Sequence, residues 1–239
     1  MRQVVVTGGG TGIGHAVAAE FARAGEDVTI TGRREQVLAR AAESMGVRGV
    51  AFDATDPDAV SEALDRLPDR VDVLVNNAGG NADFDGANDG DSLEGLAKRW
   101  RANFESNVVS AVLVTAALQE KLAEHARVIT IGSIAARQAA GSYGAAKAAV
   151  ESFNADLAAR LGSRGITANV IAPGLVVDTE FFGGGLDERR ERQLIANTSN
   201  GRAGTPEDIA ALAGFLASPR AGHVTGQVWH ANGGAHLGR

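Results

Sequence analysis

The chain opens on an apolar run, Val4-Val5-Val6, that stops at a cluster of glycines. From Ala16 to Ala24 the apolar positions then fall at helical spacing and end at Gly25, so the segment reads strand, glycine turn, helix. The same order repeats. Val28 to Thr31 is followed by a charged helix from Glu35 to Met45, and Gly49 to Phe52 by a helix begun by Asp56-Pro57, with Asp at the cap and Pro in the first turn. Further along come a strand over Val71 to Val75, a long helical stretch over Leu96 to Leu122 and a strand over Val128 to Ile131. A helix over Tyr143 to Leu161, a strand over Thr167 to Ile171, a helix over Pro206 to Ala217 and a last strand over Gln227 to Trp229 complete the pattern. Short apolar strands flanked by helices predict a doubly wound α/β fold, a central parallel sheet of about seven strands with helices on both faces.

Two stretches break the alternation. Gly79 to Ser92 is an Asp- and Gly-rich polar loop, and Leu175 to Gly204 is longer than an ordinary connection. The second is either a mobile lid or a locally disordered segment; Phe181-Phe182-Gly183-Gly184-Gly185 within it, two rings with nothing to pack on in a solvated loop beside three glycine hinges, favours a lid over a substrate. No linker or repeat divides residues 1–239, and a chain of 239 residues that is 44% hydrophobic can bury one large core. A net charge of −6 argues against nucleic acid or an anionic membrane as partner. Without cysteine there is no disulfide, thiolate nucleophile or iron–sulfur cluster, so any redox chemistry comes from a cofactor. The five histidines, His15, His125, His223, His230 and His236, lack metal-ligand spacing, and no metal site is expected. No run of ~20 apolar residues and no signal-like leader is present, so a cytoplasmic location is expected.

The candidate chemistry gathers where predicted strands end. Thr7-Gly8-Gly9-Gly10-Thr11-Gly12-Ile13-Gly14 lies between a strand and a helix, where backbone N–H groups and the helix dipole can hold a pyrophosphate. Its glycines follow GxxxGxG at Gly8, Gly12 and Gly14, not GxGxxG. At the end of the second strand, where an acid would accept from a ribose 2′-hydroxyl, the chain carries Arg33 and Arg34, suited to a 2′-phosphate; this predicts NADP(H) over NAD(H). The one tyrosine, Tyr143, stands four residues before Lys147, one of three lysines. On a helix they share a face, and the cation is expected to lower the phenol pKa from about 10 toward a useful proton donor. Ser133, just past the fifth strand, can polarise a carbonyl beside Tyr143 or serve as a turn cap. Asn107 sits among valines in the long helical stretch, which calls for a polar network around it. Asn76-Asn77-Ala78-Gly79 closes the fourth strand as a turn or a ligand wall.

Together these motifs resemble the short-chain dehydrogenase/reductase family, over Val4 to Gly234. The resemblance implies a single-domain Rossmann-type fold, with Asn107, Ser133, Tyr143 and Lys147 as the catalytic tetrad. Gly8, Thr11, Gly12, Ile13, Gly14, Arg33, Arg34, Asp53, Asn77, Ala78, Gly79, Pro173, Gly174 and Thr179 would contact the cofactor together with Tyr143 and Lys147. Asp53 falls where the family contacts adenine, and Thr179 where it holds the nicotinamide carboxamide. The segments Gly201 to Ile209 and Thr225-Gly226-Gln227 are similar to 3-oxoacyl-carrier-protein reductases. The implied activity is NADPH-dependent reduction of a ketone, reversible with a secondary alcohol, in a homotetramer. Imine reduction and a non-catalytic dinucleotide sensor are the alternatives. Only nine residues separate Ser133 from Tyr143, a short substrate-pocket wall for this family. Lys98, Arg99 and Arg101 are either a solvated helix face or a patch for an acyl carrier.

Overall fold

The computed structural model describes residues 1–84, 92–138, 140–182 and 186–238. The strands are β1 (Gln3–Thr7), β2 (Asp27–Gly32), β3 (Arg48–Ala51), β4 (Val71–Asn76), β5 (Leu122–Ile131), β6 (Thr167–Pro173) and β7 (Val228–Ala231). They form one parallel sheet in the order β3-β2-β1-β4-β5-β6-β7. The order reverses between β1 and β4, which opens a crevice at their carboxyl ends.

Each apolar run feeds two cores because successive strand residues face opposite sides. Val4, Val6, Val73, Val75, Ile129 and Ile131 pack on one face beneath α1 (Gly12–Arg23), α2 (Glu35–Met45) and a helix near the carboxyl terminus (Pro206–Ala217). Val5, Leu74 and Val128 pack on the other, beneath α3 (Pro57–Ala63) and later helices. Local signals set several boundaries. Asp56 accepts from the N–H groups of Asp58 and Ala59, and the Pro206 helix starts at a reciprocal Thr205/Asp208 capping box.

The helical stretch expected over Leu96 to Leu122 is divided. α4 (Leu93–Phe104) runs through a π-helical turn, Glu105–Val109, into α5 (Ser110–Leu118), and a 3-10 turn, Gln119–Lys121, then ends it. Leu122 belongs to β5, paired with Val71 and buried in the second core. A buried leucine fits either periodicity, and strand pairing decided between them. The next helix is α6 (Gly141–Leu161), against β6.

The long connection after β6 is not irregular throughout. It holds a 3-10 turn, Glu180–Phe182, and a nine-residue helix, α7 (Glu188–Ala196), before α8 (Pro206–Ala217). Charges along ERRERQ conceal α7, which buries no residue. The proposed hinge glycines 183–185, and residues 85–91 of the polar loop, lie outside the described residues.

Candidate active site

A cleft of about 740 Å³ lies along the carboxyl ends of the strands. Of the residues named from the sequence, Gly8, Thr11, Gly12, Ile13, Arg33, Arg34, Asp53, Asn77, Ala78, Gly79, Ser133, Tyr143, Lys147, Pro173, Gly174 and Thr179 line it. Gly14 and Asn107 stand one layer behind.

The glycine turn is shaped by its neighbours. Gly8 and Gly12 adopt φ of +66° and +55°, and a methyl group on Gly14 would meet Asn77 Nδ2 and Gly8 O at 2.3 Å. Thr7 Oγ1 accepts from the N–H groups of Asn77 and Ala78, each at 3.0 Å, while Asn77 Nδ2 donates to the carbonyls of Thr7 (3.0 Å) and Gly8 (3.1 Å). The Asn-Asn-Ala-Gly segment is therefore a clamp on the glycine turn. At the β2 end, Asp53 accepts from Thr55 N and Oγ1, with Arg33 Nη1 3.9 Å away. Burial raises the Asp53 pKa, but the Thr55 bonds and Arg33 outweigh it and hold the carboxyl below its usual range. Arg34 Nη2 donates to Glu180 Oε2 at 2.6 Å, and Thr11 Oγ1 donates to the same oxygen at 3.3 Å.

The four candidate catalytic residues come from three elements. The π turn carries Asn107, whose Nδ2 donates to Gly80 O, Asn103 O and Ser106 Oγ while Oδ1 is buried without a partner. A methyl group on Gly79 would touch that Oδ1 at 2.5 Å and Lys147 Nζ at 3.6 Å, so these groups face one point. Ser133 Oγ accepts from Ala135 N at 3.1 Å, capping the 3-10 turn Ile134–Arg137, and also reaches the Tyr143 phenol. Lys147 is buried and donates to Ile131 O at 2.9 Å.

One expectation needs correction. The shared helix face places Lys147 Nζ 5.7 Å from the Tyr143 ring centroid, but the phenol pKa is not lowered. Burial raises it, opposed only by the Ser133 hydrogen bond, and burial pushes Lys147 down to about 8. With both groups out of water, desolvation sets the direction for each.

Thr179 packs over Gly12, its side chain 3.4 Å from where a Cβ there would lie, after Asp178 at φ +58°. Pro173 ends β6, and Gly174 lies against Asn232 near the carboxyl terminus. The Phe181 and Phe182 rings do find partners. Phe181 lies 5.5 Å from the Tyr143 ring, 5.0 Å from Phe182 and 5.7 Å from Phe84.

Sequence reasoning missed a second polar group. Asp83 Oδ1 accepts from Asn103 Nδ2 (3.0 Å) and Ser142 Oγ (2.6 Å), and its Oδ2 accepts from Tyr143 N at 3.2 Å. Asp83 thus fastens the start of α6. The only signal for it was Asn103, four residues before Asn107 on the same helical stretch. Glu180 gave none.

The enoyl-(acyl carrier protein) reductase family model matches residues 8–236. The 3-oxoacyl-[acyl-carrier-protein] reductase FabG of Escherichia coli (strain K12) is 32% identical over 243 residues, 98% of this chain and 96% of the relative. The chain belongs to the short-chain dehydrogenase/reductase family. A blue fluorescent protein from a metagenomic library, solved with NADPH, superposes with a TM-score of 0.85 at 30% identity, covering 99% of this chain and 98% of its own. A short chain dehydrogenase from Burkholderia cenocepacia J2315, solved with NADP, gives 0.80 at 31%, covering 99% and 98%. Members of this family are oxidoreductases, and this chain is an enzyme of that kind. Among the described residues there is no cluster of three metal-ligating side chains and no helix long and apolar enough to cross a membrane.

Asp83→Ala removes the acceptor of the buried Ser142 hydroxyl and one of the two acceptors of buried Asn103 Nδ2, which keeps Ser142 Oγ, and is expected to cost about 1–3 kcal/mol, or roughly 2–4 °C in Tm per kcal/mol. An unchanged melting curve would show that Asp83 does not fasten α6.

Proposed function

We propose that the chain is an NADPH-dependent reductase of ketones, reversible with the secondary alcohol, and that a 3-oxoacyl thioester is within its range. The convergence of Ser133, Tyr143, Lys147 and Asn107 beside a glycine turn carries this reading. The residues present fit the cofactor: the glycine turn lines the cleft at the start of α1, where backbone N–H groups suit a pyrophosphate, Arg33 and Arg34 offer guanidinium groups to a 2′-phosphate, and Asp53 lies beside Arg33. The NADPH and NADP in the two solved relatives support the same choice.

NADPH, when bound, supplies the hydride that the carbonyl carbon accepts, leaving NADP+. The Tyr143 phenol gives its proton to the carbonyl oxygen, and the Ser133 hydroxyl donates a hydrogen bond to that oxygen. Because burial raises the phenol pKa, Tyr143 is protonated and ready to donate at neutral pH. Lys147, with its pKa near 8, is mainly cationic at pH 7 and stabilises the phenolate as it forms. The unpartnered Asn107 Oδ1 is placed to hold a water that returns a proton toward Lys147. Residues 175–204 act as the lid within a single domain. Assembly into a homotetramer would use β7, the sheet edge, where Trp229 packs edge-on against half-exposed Phe215. The acidic balance suits a cytoplasmic enzyme without nucleic-acid partners.

Tyr143→Phe should lose most NADPH-driven ketone reduction while holding NADPH as tightly as the wild type. Reduction at the wild-type rate would remove Tyr143 as the acid. For the cofactor, Arg33→Ala should weaken NADPH binding by ~1.5–3 kcal/mol, with little change for NADH. Glu180 already holds Arg34, so Glu180→Gln should tighten NADPH about two- to five-fold. Fluorescence titration with both nucleotides checks the pair, and equal effects on NADPH and NADH would contradict the 2′-phosphate assignment.

A further inference from the structure

The turn Glu180–Phe182 lines the cleft, and its side chains match the chemistry of the groups they touch. Glu180 sets an anion on Thr11 and Arg34, where cofactor phosphates are proposed to bind. The next residue sets a phenyl ring on Tyr143. Phe181 meets the Tyr143 ring at 5.5 Å and 56°, with Phe182 edge-on at 5.0 Å and 89° and Phe84 edge-on at 5.7 Å and 88°. Phe84 is itself 51% exposed, so an apolar wall is kept in contact with water at the mouth. Such a wall gains most by receiving another ring, because aromatic pairs have a geometry-dependent attraction beyond their buried area.

Charge narrows the class further. Among the described residues lining the cleft, the cations are Arg33 and Arg34 at the β2 end and Lys147, which already donates to Ile131. Glu105 of the π turn and Glu180 add anions to the same lining, so the cleft away from the β2 end offers a substrate carboxylate no guanidinium among the described residues. Resting on the reductase reading, we infer that the preferred substrate is an uncharged ketone bearing an aromatic ring near its carbonyl, and that this ring takes the place of Phe181 on Tyr143, between Phe84 and Phe182.

The test compares benzylacetone with the analogue in which cyclohexyl replaces phenyl, two ketones with equally unconjugated carbonyls. An acetoacetyl thioester serves as a third substrate, and NADPH oxidation is followed throughout. The wild type should favour the phenyl ketone about five-fold in kcat/KM, mostly through KM, equivalent to ~1 kcal/mol. Phe182→Leu and Phe84→Leu, which keep apolar bulk without the ring on either side of the position Phe181 vacates, should each bring that ratio toward one. A wild-type ratio near one, with either ketone or the thioester reduced, overturns this inference and leaves the reductase reading standing. A five-fold preference that survives both leucine variants also overturns it, because the rings would not be its source. If none of the three substrates is reduced, the reductase reading fails and the inference with it.

Discussion

The site depends on one buried charge. Lys147 is enclosed by protein, and its ammonium donates to the carbonyl of Ile131, the last residue of β5. That bond ties α6 to the end of the strand that leads into Ser133, and the helix repeat then places Tyr143 one turn earlier on the same face. Desolvation has a cost with a definite sign. The folded chain gives up the lysine proton near pH 8, well below the ordinary value of about 10.4, so the buried cation penalises folding below pH 8. Stability recovers as pH rises from about 8 toward 10.4, where the unfolded chain still holds the proton.

Around that charge the fold supplies positions and the loops supply groups. Alternating residues of β1, β4 and β5 fill two cores and leave the strand ends rigid, which is where the glycine turn, the Asn77 clamp and Ser133 emerge. The π turn sets Asn107 into this layer, and Asp83 holds the start of α6 from the opposite side. Glu180 and the three phenylalanines cover the result. Strand ends beneath covering loops separate the placing of the buried polar groups from the shaping of the cleft above them.

Much of this was legible in the residues. Val4 to Val6, Glu35 to Met45 and Pro206 to Ala217 carry period and cap signals that act locally, and their elements form where those signals place them. That Asn107, Ser133, Tyr143 and Lys147 converge was legible only as a joint pattern, since a lone serine or tyrosine specifies little. What escaped depends on tertiary contact. Leu122 is apolar in either setting and became strand only through Val71. The spacing of Tyr143 and Lys147 was visible, but how far both leave water is a property of the tertiary fold, and burial sets the direction of both pKa values. Glu180 and Asp83 reach partners across 146 and 60 residues of sequence, and nothing near them in the chain announces those bonds.

The chain has three lysines, Lys98, Lys121 and Lys147, so their side chains can be followed individually by an NMR pH titration of isotopically labelled lysine. One resonance should titrate with a midpoint near pH 8 and disappear in Lys147→Met. Three resonances all titrating near the ordinary value of about 10.4 would contradict a buried cation at the centre of the site.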